Sequence, residues 1–342
     1  MTYRAAIVGA GAPVAATNAN LEGFSIGYSH ARGYLACSDV DIVAIADINE
    51  ANAQALASFS GGASAYTSLA ELLAQEQVDI LSVCTWPTLH AEMVLAAIEA
   101  GVRVILCEKP MAVSVDEIDR MVTAADAAGA RLFVNHQRRY EQPYAGARRL
   151  IDAGHLGELV RVEGYVGDGW DLMSWGSHWV DMCRFLNADR DVSWVLAAAD
   201  SNGNVRYGHF VEDHMLLQFG FADNSTLALV HTGAHTSGAG LIVIGTKGTM
   251  HLSENSASLA VESGESSDLR QQYLDIRPDS RQGFVDAIAD IVSSIADGGT
   301  TQIEGVSGHL DTEIMMAAYA SARDGHVKTL PLSDRSIDLR AN

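Results

Sequence analysis

Lysine is nearly absent from this 342-residue chain: only Lys109, Lys247 and Lys328 occur, and arginine supplies the rest of the 22 basic residues, against 43 acidic ones. The resulting formal charge of −21 excludes nucleic acid and anionic membrane surfaces as natural partners, because both polyanions would be repelled. A small neutral molecule fits such a chain better. Cysteine is also scarce. Cys37, Cys84, Cys107 and Cys183 stand far apart with no Cys-x-x-Cys pair, which is neither a disulfide framework nor a zinc pattern and implies reduced thiols in a cytoplasmic protein. No apolar run approaches membrane-spanning length, and the N-terminus lacks the basic, apolar and small-residue succession of a secretion signal. His209, His214, His231 and His235 have no compact zinc spacing, so no metal is expected.

What the chain does have is alternation. Arg4–Val8, Ile42–Ala46, Asp79–Val83, Val102–Leu106 and Arg131–Val134 are short apolar runs separated by helical patterns, among them the capping boxes Ser68-x-x-Glu71 and Ser114-x-x-Glu117. Such alternation requires a parallel sheet with helices on both faces, an α/β Rossmann domain. With 342 residues the chain exceeds one hydrophobic core, so a second domain is expected. Residues 1–135 are assigned to the first and 136–342 to the second.

The first run enters Gly9-Ala-Gly11, where glycines allow a tight turn and let backbone N–H groups approach a pyrophosphate. The usual third glycine position holds Val14. A candidate appears later, in Ile26-Gly27, which makes residues 12–25 an insertion in the phosphate loop. Asp47 follows Gly27 by twenty residues, the spacing of the carboxylate that accepts hydrogen bonds from the adenosine ribose. It would repel a 2′-phosphate, and no Arg or Lys stands in Asp47-Ile-Asn-Glu50, which favours NAD over NADP. The structural alternative is that Asp47 caps the next helix. Thr85-Trp-Pro87-Thr-Leu-His90 reads as a loop over the cofactor. Glu108-Lys109-Pro110 ends a buried strand at the sheet edge where ligands bind, and the proline restrains the lysine.

Together, Gly9-x-Gly11, Ile26-Gly27-x-x-His30-Ala31, Asp47, Thr85-x-Pro87-x-x-His90, Glu108-Lys109-Pro110 and Asn135-x-x-Arg138-Arg139-Tyr140 resemble the Gfo/Idh/MocA family of nicotinamide-dependent sugar and cyclitol oxidoreductases. The resemblance extends over nearly the whole chain. It implies that Gly9, Gly11, Ile26, Gly27, Asp47, Thr85, Pro87, His90 and Glu108 serve the cofactor. It also implies that Lys109 contacts both the nicotinamide ribose and the reacting hydroxyl.

From Leu159 the pattern changes to strand-like runs, including His209–Phe221, which imply an α+β domain with a large, mostly antiparallel open sheet. Gly264–Leu269 reads as a polar loop. One convincing helix interrupts the strands, Ser177–Leu186, where His178 and Asp181 are three apart and share a face. Histidine is the side chain best matched to moving a proton near neutral pH; a buried structural histidine is the alternative. By the resemblance His178 is the acid/base and Asp181 holds a substrate hydroxyl. Where the family often places Asp, this chain has Ser174, with Asp171 or Asp168 as substitutes. Trp170, Trp175 and Trp179 cluster beside His178, and aromatic faces suit the apolar C–H faces of a sugar ring. Arg138 and Arg139 either bind substrate oxygens or pair with Glu residues, the former being favoured for Arg138. The family commonly associates through the outer sheet face, so a homo-oligomer, dimer or tetramer, is expected. The reading is an NAD-dependent dehydrogenase for a secondary hydroxyl of a sugar, glycoside or cyclitol. Its rivals are a redox-neutral enzyme that recycles a bound cofactor, and a nucleotide-dependent sensor.

Overall fold

The computed structural model describes residues 2–13, 24–167, 169–223, 226–233, 238–253, 257–263, 266–274 and 280–341. Most of the 12–25 insertion, Asp168 and His235 lie outside the described residues. The chain divides into two compact units: Met1–Ala112 with Glu117–Gln137 and Arg281–His309, and Val113–Asp116 with Arg138–Ser280 and Leu310–Asn342.

In the first unit, β1 (Tyr3–Val8), β2 (Val40–Ala46), β3 (Ser64–Tyr66), β4 (Ile80–Val83), β5 (Val104–Cys107) and β6 (Arg131–Val134) form a parallel sheet in the order β3-β2-β1-β4-β5-β6. Every residue of β4 and β5 is buried, as a sheet covered on both faces requires. The crossovers are α1 (Ile26–Leu35), α2 (Glu50–Phe59), α3 (Leu69–Gln75), α4 (Pro87–Glu99) and α5 (Val115–Ala128). Ser68 caps α3 by accepting from the Glu71 N–H. Strand order reverses between β1 and β4, so the loops leaving these two strands part at the sheet's carboxyl edge and open the crevice where ligands bind in such sheets. A later helix, α8 (Ser280–Asp297), sets Ile288 against Gly33 of α1.

The second unit holds α6 (Gln142–Asp152) and a sheet made of β7 (Leu159–Tyr165), β8 (Val192–Asp200), β11 (His214–Phe221), β12 (Leu227–Gly233), β13 (Gly240–Gly245), β14 (Gly248–Ser253), β15 (Ala257–Ser263), β16 (Ser266–Leu274) and β17 (Lys328–Thr329). All neighbours are antiparallel except β7 and β12. Of the Gly264–Leu269 stretch expected as a loop, 266–269 belong to β16 and pair with β15, while 264 and 265 lie outside the described residues. The expected strand His209–Phe221 is also broken. A small hairpin of β9 (Val205–Arg206) and β10 (His209–Phe210) precedes β11, closed by Tyr207 and Gly208 at φ 51° and 80°. Helix α7 (Ser177–Leu186) and α9 (Gly305–Asp324) fill one face of the sheet, where Trp179, Val180, Met315 and Ala318 pack with Val162, Leu217, Phe219 and Val230. Each large apolar side chain buried there contributes about 1.5–3 kcal/mol. That core holds α7 in place. Among the described residues, no helix is long and apolar enough to cross a membrane.

Candidate active site

The loop leaving β1 is shaped by its glycines. Gly9 has φ +89°, and a Cβ there would lie 2.6 Å from the carbonyl carbon of Cys84 at the end of β4. Gly27, in the first turn of α1, would bring a Cβ to 2.7 Å from the Ala10 carbonyl oxygen. Only glycine lets a helix start so close to the strand loop, which is the part a third fingerprint glycine plays. Ile26 opens the helix beside it. The Gly11 N–H donates to Asp47 Oδ2 at 3.0 Å, and the Asn49 N–H to Oδ1 at 2.8 Å. Asp47 does not cap α2; Asn49 does, accepting from the N–H groups of Ala51 and Asn52. Each Asp47 oxygen keeps a second lone pair for a ribose hydroxyl.

Thr85 follows β4, and its buried Oγ1 has no hydrogen-bond partner among the described residues. Pro87 begins α4, so the expected loop is only two residues before the helix starts, where proline is pre-organised. His90 is fully buried in the first turns of α4, with Nδ1 3.0 Å from the Pro110 carbonyl and Nε2 3.0 Å from the Thr85 carbonyl. Burial lowers its pKa, against the pull of both carbonyls and of Glu108. Both ring nitrogens thus face backbone carbonyls, one from the loop after β4 and one from the segment after β5. The glycine cradle, the Asp47 acceptor and the orphaned Thr85 hydroxyl fit a dinucleotide.

Lys109 stands half-buried at the carboxyl end of β5, joined to Pro110 by a cis peptide bond. Glu108 beside it is only 5% exposed. Its Oε1 accepts from Asn135 Nδ2 at 2.7 Å and meets His30 Nε2 at 2.9 Å, while Oε2 accepts the Lys109 N–H at 3.2 Å. Both carboxylate oxygens of Glu108 are thus engaged by protein groups. Burial alone would raise its pKa, but the His30 hydrogen bond, the charges of His30 and Lys109 and the Asn135 amide hold it below the usual value.

In the second unit, α7 is entered through a π turn, Leu172–Gly176. Irregular turns of this kind gather at functional sites. Asp171 caps it, accepting from the Ser174 N–H at 2.8 Å and from Arg206 Nη1 at 2.5 Å. Glu212 holds the Leu172 N–H at 2.7 Å and accepts from Thr232 Oγ1 at 2.6 Å and from the Tyr319 hydroxyl. Burial raises the Glu212 carboxyl's pKa, against the two hydroxyls that bond it. The turn presents Trp175, half-buried, edge-on to His178 at 5.8 Å and tilted against Trp170 at 5.7 Å. Arg138 reaches the same aromatic wall, with its guanidinium 4.8 Å from the Trp179 ring, 5.6 Å from Trp175 and 5.7 Å from Tyr144, whose hydroxyl it bonds at 3.0 Å.

Two of the aspartates singled out from the sequence, Asp171 and Asp181, are engaged by arginines. Asp171 is 1% exposed and engaged as just described. Asp181 is fully buried and bound through Oδ1 by Arg139 Nε at 2.7 Å and Nη2 at 2.6 Å; Arg139 also grips Asp189 at 2.7 and 2.9 Å. Burial pushes the Asp181 carboxyl well up; Arg139 opposes this and Asp311, bound to Arg184, adds to it. Arg139, expected to bind substrate oxygens or to pair with Glu residues, pairs with two aspartates instead; sequence reasoning did not single out Glu212, Ser82 or Tyr34. Arg139 and His30 stood inside quoted motifs, whereas nothing local marked Ser82, Tyr34 or Glu212.

A sequence model described as an oxidoreductase family with an NAD-binding Rossmann fold matches residues 4–136, and that of the same family's C-terminal alpha/beta domain matches 148–332. Inositol 2-dehydrogenase 3 of Saccharopolyspora erythraea is 28% identical, over 98% of this chain and 97% of that protein. Inositol 2-dehydrogenase of Azotobacter vinelandii is 35% identical over 161 residues, spanning 46% of this chain and 44% of that protein. Levoglucosan dehydrogenase in complex with NADH shares the fold with TM-score 0.82 at 19% identity, covering 97% of this chain and all of that one.

Proposed function

The chain belongs to the Gfo/Idh/MocA oxidoreductase family and is a dehydrogenase acting on CH–OH groups with a nicotinamide cofactor, and from that premise we propose that it oxidises a secondary ring hydroxyl of a cyclitol, sugar or glycoside to the ketone, using NAD. The observation that carries this reading is Trp175 standing edge-on to His178 with Arg138 over the same wall. An apolar face for ring C–H groups, a proton acceptor and a cationic hydrogen-bond donor suit a polyol ring. Full-length likeness to an inositol 2-dehydrogenase supports the substrate class.

Gly9, Gly11, Ile26 and Gly27 would cradle the pyrophosphate, Asp47 the adenosine ribose, and Thr85 and Pro87 the loop beside it. Asp47 with no cation in Ile48-Asn49-Glu50 supports NAD over NADP. A bound nicotinamide would supply the acceptor for the hydride that leaves the carbinol carbon. Lys109 donates a hydrogen bond to the reacting oxygen and stabilises its developing negative charge, and His178 accepts the hydroxyl proton. Arg138 orients a neighbouring oxygen. Leu196 and Leu216 are exposed on the outer sheet face, with Trp194, Leu229 and Ile242 half-buried along it, and this supports association of copies through that face. Four unpaired cysteines support a reducing, cytoplasmic location.

The test is single-turnover absorbance at about 340 nm with stoichiometric NAD and a panel of cyclitols, pyranoses and glycosides. Lys109→Ala and His178→Ala should each lower turnover by about 10²–10⁴-fold while NAD binding survives. Normal turnover in either variant removes that residue's role.

A further inference from the structure

A single line of buried polar groups runs beneath Lys109. The Tyr34 hydroxyl lies 2.7 Å from Ser82 Oγ, Ser82 Oγ 2.8 Å from His30 Nδ1, and His30 Nε2 2.9 Å from Glu108 Oε1. Asn135 Nδ2 closes on the same oxygen at 2.7 Å. One proton position follows from the carboxylate. An ionised Glu108 only accepts, so His30 Nε2 carries the hydrogen between them.

The line draws on α1, β4, β5 and β6, and His30 is packed from outside by Phe284 of α8 with ring centroids 5.6 Å apart. All four of these elements converge on a carboxylate that also accepts the Lys109 backbone N–H. A sheet core needing only adhesion is better served by apolar side chains, since a buried charge carries a desolvation cost. Here the charge adjoins the scarcest residue type in the chain. We propose that Glu108, held ionised and oriented by His30 and Asn135, sets the charge and aim of the Lys109 ammonium; this rests on the role of Lys109 given above. The titratable groups around Glu108 are His30 from α1, Cys84 at the end of β4, Cys107 and Lys109 on its own segment, and His90 on α4. Glu108 raises the pKa of both thiols further, beyond what their burial does, and neither thiol supplies a competing negative charge near neutral pH. Among the described residues, Glu108 is an anion whose charge acts directly with that of Lys109.

The scarcity of lysine provides a direct test. Reductive ¹³C-methylation labels only Lys109, Lys247, Lys328 and the N-terminus, and an NMR titration of the intact protein reads each ammonium separately without any substrate. Glu108→Gln, nearly isosteric, should lower the Lys109 titration midpoint by about one pH unit or more, because an opposite charge nearby moves a pKa by about 1–3 units. Two His30 variants separate orientation from packing. Glutamine puts its amide nitrogen where Nε2 was, and asparagine puts its own where Nδ1 was. His30→Gln should therefore leave Lys109 near its wild-type midpoint, while His30→Asn moves it in the direction of Glu108→Gln. The Lys247 and Lys328 signals stay fixed in a folded protein and serve as the control; if a His30 variant fails that control, Glu108→Gln decides alone. A Lys109 signal titrating unchanged in Glu108→Gln, or moved equally by both His30 variants, overturns the proposal. Lys109→Ala turnover tests the underlying role independently, so the two failures are distinguishable.

Discussion

Removing the Arg139 guanidinium gives the sharpest test of how the second unit is built. Arg139 is 2% exposed and Asp181 1%, and two nitrogens of the first lie within 2.7 Å of one oxygen of the second. In Arg139→Met, Asp181 would remain buried with Asp311 close enough to push its carboxyl further up. Breaking a buried pair by deleting one partner costs about 3–5 kcal/mol, whereas replacing both by apolar residues is often neutral. Asp189, the other partner of Arg139, is 37% exposed and can be left to water. The expected order in urea unfolding followed by tryptophan fluorescence is therefore specific. Arg139→Met loses about 3–5 kcal/mol, a large share of a typical stability of about 5–15 kcal/mol. Arg139→Met/Asp181→Leu recovers most of that loss. A single variant within about 1 kcal/mol of wild type would refute the reasoning, because Asp181 would then not depend on Arg139 and its carboxylate would be available for a substrate hydroxyl.

Other consequences follow from the same geometry. Burial lowers the pKa of His90 and His209; the unfolded chain then binds their protons first, so stability falls as pH drops below about 6.5 towards the depressed folded values. Each group contributes a slope of up to about 1.4 kcal/mol per pH unit, and His90→Gln should flatten the acid side of a urea-midpoint profile. Asp47→Ser should shift the ratio of NAD to NADP dissociation constants towards NADP by about tenfold or more, read by fluorescence titration, since a carboxylate facing a 2′-phosphate is removed. Gly27→Ala places a Cβ 2.7–2.8 Å from two backbone oxygens; it should cost about 1–3 kcal/mol of stability and weaken NAD binding, and an unchanged NAD affinity would separate α1 from the cradle.

Much of the first unit was legible because its signals are local. Short apolar runs, Ser68-x-x-Glu71 and Gly9-x-Gly11 each specify a backbone state within a few residues, and the alternation they punctuate admits only a parallel sheet. Local signals also misled where two functions share one residue type: Pro87 read as loop although proline suits the first helical position, and the cap of α2 was Asn49, two residues past the acidic position that drew attention. The polar site residues were harder for a different reason. Glu108, His90, Asp171 and Asp181 all stood in or beside motifs, and the sequence offered no means of telling a group that faces a ligand from one that holds the wall behind it. The partners that decide this are remote: Glu108 meets His30 78 residues away, and Asp171 meets Arg206 35 residues away. The i, i+3 spacing of His178 and Asp181 says that they share a helix face, but every residue of α7 is buried, so that face alone does not say what covers it. Arg139 covers Asp181, and Trp175 stands against His178.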